Sequence, residues 1–211
     1  MSKRVALPLA VALAAWLDVA AAAERPTTWV QVERQIADEV NAYRASAGLP
    51  SVPYSPGLTA TAHAHVIDLA DNRPDLQVGE DGRPCSLHSW SPRSGGAALC
   101  YTGSAQDAAR MWSKPREITH GLYAGNGYEI AFGPAPGTGE GRPVTSAAAL
   151  DGWRGSPLHN AVVLERGVWA GRHWRAMGVG ALGGFAVVWF GDSPEPLRGP
   201  NPKPCRACQD R

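Results

Sequence analysis

The chain has 211 residues, 44% of them hydrophobic and 18% charged, with 20 Lys and Arg against 19 Asp and Glu. A charge so nearly balanced, with no basic block, argues against nucleic acid or an anionic membrane surface as the main partner. The length suffices for one domain with a substantial core.

The first 23 residues read as an export signal. Lys3-Arg4 makes a basic start, Val5 to Ala15 an alanine- and leucine-rich apolar core, and Ala21-Ala22-Ala23 the small residues of a signal-peptidase site. Cleavage there predicts a mature chain from Glu24 with 18 basic and 18 acidic residues. The apolar core is too short to span a bilayer comfortably, and Asp18 interrupts its far end, so a retained anchor is the weaker alternative. No other segment reads as a membrane span.

From Thr27 to Pro50 the spacing predicts a helix. Trp29, Val32, Ile36, Val40 and Tyr43 recur at three- and four-residue intervals, Thr27 or Thr28 can cap the start, and Gly48 with Pro50 ends it. A second helix opens at Ser55-Pro56, a cap followed by proline at the first helical position. It runs through Leu58, Ala62, Val66 and Leu69 to Asp71-Asn72. His63 and His65 lie two residues apart on it and point in different directions, which reads as surface or core histidines rather than one shared site.

Residues 72–103 are rich in Pro, Gly, Ser and Asp and read as a long ordered loop pinned by cysteine. Ser104 to Trp112 is a short helix with Ser104 and Asp107 as a capping-box variant and Pro115 as its stop. An apolar run containing Glu129 follows, then a Gly- and Pro-rich loop over 133–143. Thr145 opens a helix through Ala147, Leu150 and Trp153, which Ser156-Pro157 ends. "AMGVGALGGFAVVWFG" predicts two strands about a Gly183-Gly184 turn, and a proline-rich tail runs from Asp192.

Four cysteines in an exported chain most simply form two disulfides, for which three pairings exist. Local pairing, Cys85 with Cys100 and Cys205 with Cys208, is favoured. Closing the first loop is worth about 3 kcal/mol in the chain-entropy model. For the tail CxxC an inert disulfide or free thiols stands ahead of half a zinc site or a redox pair, because neither a second CxxC nor a βαβ context accompanies it.

Gly178 to Gly183 matches GxGxxG, yet it leads into a strand rather than a helix, so no phosphate would meet a helix N-terminus. Ser156 stands three residues before His159, but nothing evident orients the imidazole as a third member of a nucleophilic set would. Glu129, in "GYEIAFG", needs partners, because an ionised carboxylate among Tyr, Ile, Ala and Phe is costly without them. His88 in "CSLHSWSP" and His159 in "SPLHNAVV" are candidates. Two imidazoles and a carboxylate with an open position are the ligand set of many catalytic zinc sites, which makes His88 and His159 the metal candidates.

Five segments in order resemble the CAP superfamily of cysteine-rich secretory, antigen 5 and pathogenesis-related 1 proteins, over roughly residues 33–191. They are "EVNAYRASAGLPSVPYSPGLTATAHAHVIDLA", "HSWSP", "GYEIA", "ALDGWRGSPLHNAVV" and "MGVGALGGFAVVWFG". The third resembles the GENIA-type signature with Tyr128 in place of glycine. The resemblance implies an α/β fold, a three-layer α-β-α sandwich, here with an inserted loop region and the Pro-rich tail. It implies domain limits of 24–191 between the signal peptide (1–23) and the tail (192–211).

The resemblance also implies a cleft holding two histidines and two acidic residues. Carried over by position, His88 and His159 fall on the histidines and Glu129 on the acid of the signature. The fourth position departs, because the place of the second acid after Trp153 holds Ser156. Glu117 and Asp151 are candidate substitutes, and Asn160 departs from the family's asparagine spacing.

Function belongs to the site rather than to the fold. Three readings stand. In the first, an exported binding module, periplasmic or extracellular, holds a small apolar ligand, a lipid or a protein partner in the cleft of His88, Glu129, His159 and Ser156. In the second, a hydrolase uses zinc on His88 and His159 with Glu129 as general base. In the third, the trio is a purely structural network.

Overall fold

The computed structural model describes residues 29–135 and 142–195. The export segment, the caps at Thr27 and Thr28, and the Cys205/Cys208 pair lie outside the described residues. Among those described, no helix is long and apolar enough to cross a membrane.

Helix α1 (Trp29–Ser46) buries Val32, Ile36 and Val40 and ends before Gly48, whose φ of +76° only glycine adopts freely. Its Arg44 is fully buried. The guanidinium donates to Val163 O at 2.6 Å and to Glu165 at 2.7 Å, tying α1 to residues 163–165. Helix α2 (Pro56–Asn72) starts where Ser55 Oγ accepts the Leu58 amide at 3.0 Å. The Glu195 carboxylate joins the same helix start, accepting the Gly57 amide at 3.1 Å and the Ser55 hydroxyl.

Helix α3 (Ala105–Trp112) is capped by Ser104, and Asp107 reaches back to the Thr102 amide at 3.0 Å. Pro115 does not stop it. The helix breaks at Ser113, and Pro115 sits in the first turn of α4 (Lys114–Ile118), where a missing N–H costs nothing. The same correction applies further on. After α5 (Ser146–Gly155), which Thr145 caps, Ser156-Pro157 both ends one helix and opens another, α6 (Pro157–Val163), which carries His159.

Three antiparallel strands form the sheet: β1 (Tyr128–Phe132), β2 (Ala176–Leu182) and β3 (Phe185–Gly191), in the order β1-β3-β2. Leu182 faces Phe185 across the Gly183-Gly184 turn, with Gly183 at φ +56°. Alternation along β3 divides the core. Ala186, Val188 and Phe190 pack with α1, α5 and α6, whereas Phe185, Val187 and Trp189 pack with Leu58, Ala62, Val66 and Leu69 of α2. The result is a three-layer α-β-α sandwich.

The GxGxxG motif has a packing reason. A Cβ at Gly178 would stand 2.1 Å from Leu58 C, and one at Gly180 2.6 Å from Ala62 O, so both glycines let α2 lie directly on β2. The long loop after α2 is held by the Cys85–Cys100 disulfide and by paired backbone bonds between Trp90 and Leu99 at 2.7 and 2.9 Å. Buried Asp68 on α2 accepts the Ser91 amide at 2.7 Å and the Ser91 hydroxyl, which docks the loop on the sandwich.

Candidate functional site

β1 is an end strand of the sheet, so elements from both helical layers can reach it. Tyr128 and Ile130 enter the α1/α5/α6 core, and Ala131, two places from Glu129, enters the α2 core. Period-two alternation therefore turns Glu129 toward α2. Three imidazoles gather there: His65 from α2, His88 from the docked loop and His159 from α6.

Glu129 Oε1 lies 2.5 Å from His65 Nδ1, and Oε2 lies 2.8 Å from His88 Nδ1. The side chains of Glu129 and His65 are fully buried, and that of His88 is 21% exposed. Burial pushes the Glu129 carboxyl up, but attraction to His65 and hydrogen bonds from both imidazoles outweigh it and hold the group below its ordinary value. His65 stacks on Trp90 at 4.1 Å with the ring planes 8° apart, and Trp189 stands edge-on at 6.5 Å. The His88 and His159 rings lie 6.1 Å apart.

His159 titrates far from its ordinary range. Burial first, and then the neighbouring His88, lower it from 6.5 to about 4, against the opposing pull of Glu129. A group depressed in the folded state contributes stability above its unfolded value and loses it as pH falls through the folded one. The native chain should therefore lose on the order of 1–3 kcal/mol between these two pH values, discounted for partial solvent screening. Urea unfolding of His159→Gln across that window should show a flatter acid limb than wild type. Parallel limbs would remove the assignment.

His65 is the site residue that the sequence reading misses. It stands three residues after Ala62 and four before Leu69, on the buried face of α2, so an imidazole there needs a partner as much as Glu129 does. His63, pointing elsewhere, pairs with Glu33 at 2.9 Å. Ser156 is half-buried at the α5/α6 junction, and its side chain makes no capping bond to α6. Neither substitute acid joins the group: Glu117 is taken up by Lys114 at 3.0 Å and by the Ala97 amide, and Asp151 is exposed on α5. The set is three imidazoles and one carboxylate, where the family pattern implies two of each.

Among the described residues, no group of three or more His, Cys, Asp and Glu is arranged to hold a metal ion. Both Glu129 oxygens face imidazole nitrogens, which leaves His88 and His159 as two donors where catalytic zinc usually takes three protein ligands. The residues therefore do not fit a resident catalytic zinc. A separate groove of about 910 Å³ runs along the docked loop between Asp71, Arg83, Arg93 and Arg110. Trp90 and Leu99 line it, and Trp90 also stacks on His65.

Nothing matches the chain among curated proteins. Among solved structures, an extracellular protein containing an SCP domain from Bacillus anthracis str. Ames aligns at 20% identity with a TM-score of 0.44. The alignment covers 79% of this chain and 43% of that one, so this chain spans less than half the length of that protein. The model of the cysteine-rich secretory protein family, CAP, matches residues 37–177, a span that contains all three site imidazoles and Glu129. With most of the sandwich inside that match, the chain belongs to the cysteine-rich secretory protein family.

Proposed function

We propose that the chain is an exported CAP domain acting as a binding module, whose cleft takes an uncharged amphiphile, a small apolar ligand or lipid with a polar head. One observation carries the reading: among the described residues, the one carboxylate of the cleft has both oxygens bonded to imidazoles, so neither a free general base nor a third metal donor remains among them. What faces outward is partly exposed His88 and uncharged, half-buried His159, which can exchange hydrogen bonds with a hydroxyl or carbonyl without demanding a charge. The basic, apolar, small-residue order of the first 23 residues supports export, to the periplasm or beyond the cell.

The test is a titration of the chain from Glu24 with a short-chain monoacylglycerol below its micellar concentration, followed by the ring signals of His88 and His159. Saturable shifts of both, lost in His159→Ala, are expected. Absence of any shift would sink the binding reading. Zinc-dependent ester hydrolysis abolished by Glu129→Gln would replace it with the hydrolase.

A further inference from the structure

We infer that His65 is a positioning residue: it holds a proton shared with Glu129, and that proton fixes His88 with hydrogen on Nδ1 and a bare Nε2 toward the cleft. The inference rests on the hydrogen-bond geometry and goes beyond the proposed ligand class.

His65 Nε2 lies 3.0 Å from Ser89 O, and a carbonyl only accepts, so Nε2 carries hydrogen. Nδ1 then faces Glu129 Oε1 at 2.5 Å, where a bare nitrogen opposite an ionised oxygen would be repelled. One proton must lie between them. It sits either on Nδ1, making an imidazolium and a carboxylate, or on Oε1, making a neutral pair. In both arrangements Glu129 Oε2 remains an acceptor, so His88 Nδ1, 2.8 Å away, is the donor. The tautomer of His88 is the same wherever the shared proton rests.

The surroundings favour keeping that proton. The Trp90 face stacked on His65 and the nearby Trp189 suit a cationic ring. The other charged groups packed about the pair are already engaged: Lys114, 5.1 Å over the Trp90 ring, bonds Glu117 and Ala97 O, and Asp68 accepts from Ser91 and Asn72. A fully buried carboxylate needs one neutralising proton. Without His65, that proton can be shared only with His88. His88 then becomes an imidazolium, or Glu129 donates to its Nδ1 and its hydrogen moves to Nε2. Either way the bare Nε2 is lost.

The experiment is long-range nitrogen-proton NMR of the histidine rings at pH 8, where an ordinary imidazole is neutral. In wild type the expected pattern is His65 with hydrogen on Nε2 and a strongly deshielded proton at Nδ1, and His88 with hydrogen on Nδ1 alone. His65→Phe keeps a ring against Trp90, and His65→Gln keeps a neutral donor toward Glu129; both should put hydrogen on His88 Nε2. A wild-type His88 protonated at Nε2 overturns the inference with no variant needed, as does a His65→Gln spectrum in which His88 matches wild type. Failure of monoacylglycerol binding would leave the wild-type pattern standing, so the two readings fail separately.

Discussion

Glu129→Ala is expected to lower the free energy of unfolding by about 3–5 kcal/mol, the range for removing one partner from a buried ionic set. The loss is not of one contact. His65 Nδ1 would lose its buried partner, and His88 would lose the bond that orients it. Glu129→Gln should recover only part of this, because its amide oxygen can serve one imidazole while its NH₂ confronts the other. The pH dependence carries a sign. A carboxyl held below its ordinary value of 4.5 contributes stability above that pH and loses it as pH falls through the folded value, so wild type and variant should converge in acid. Urea unfolding at pH 7 and pH 4 checks both points. A difference below about 1 kcal/mol at pH 7 would mean that the group is more hydrated than its complete burial indicates.

Gly178→Ala is the second large effect. The new methyl would meet the backbone of α2 at Leu58 C and, 2.2 Å away, at Thr59 N, neither of which can rotate aside. Helix and strand must separate, and the apolar residues between them lose contact along their whole length. A cost of about 3 kcal/mol or more follows, at the upper end for overpacked cores. Gly155→Ala is the control, since nothing lies within 4 Å of a Cβ there. Thermal unfolding of the two variants should separate them clearly. Equal melting temperatures would show that α2 does not rest on β2 as closely as described.

The helices that bury one stripe, α1 and α2, and the β2–β3 hairpin were legible because periodicity and turn chemistry agreed there. Pro115 and Pro157 read as stops, whereas each lies at the start of a new helix. Proline disfavours helix in the residue before it while suiting the first turn after it, so an isolated X-Pro marks a junction without saying on which side the helix lies. Glu129 announced its need for partners by being charged in an apolar strand. His65 did so less openly, because comparing it with His63 hid the more telling comparison with the apolar residues on its own face of α2. The shortage of acids is visible at Ser156, but that an imidazole from α2 joins the set depends on the stacking of α2 over β2 and β3, which no local spacing encodes.

The site also bears on how the protein behaves in company. A five-residue end strand such as Tyr128–Phe132, apolar on both sides of its middle, would be an inviting template for a strand from another molecule. A carboxylate at its second position, claimed by two imidazoles inside its own fold, makes drawing β1 out of the sheet costly, because a foreign strand that did so would strand a charge. The group that organises the cleft thereby also clamps an end strand of the sheet to α2 and to the docked loop, so one side chain serves the site and the integrity of the sheet together.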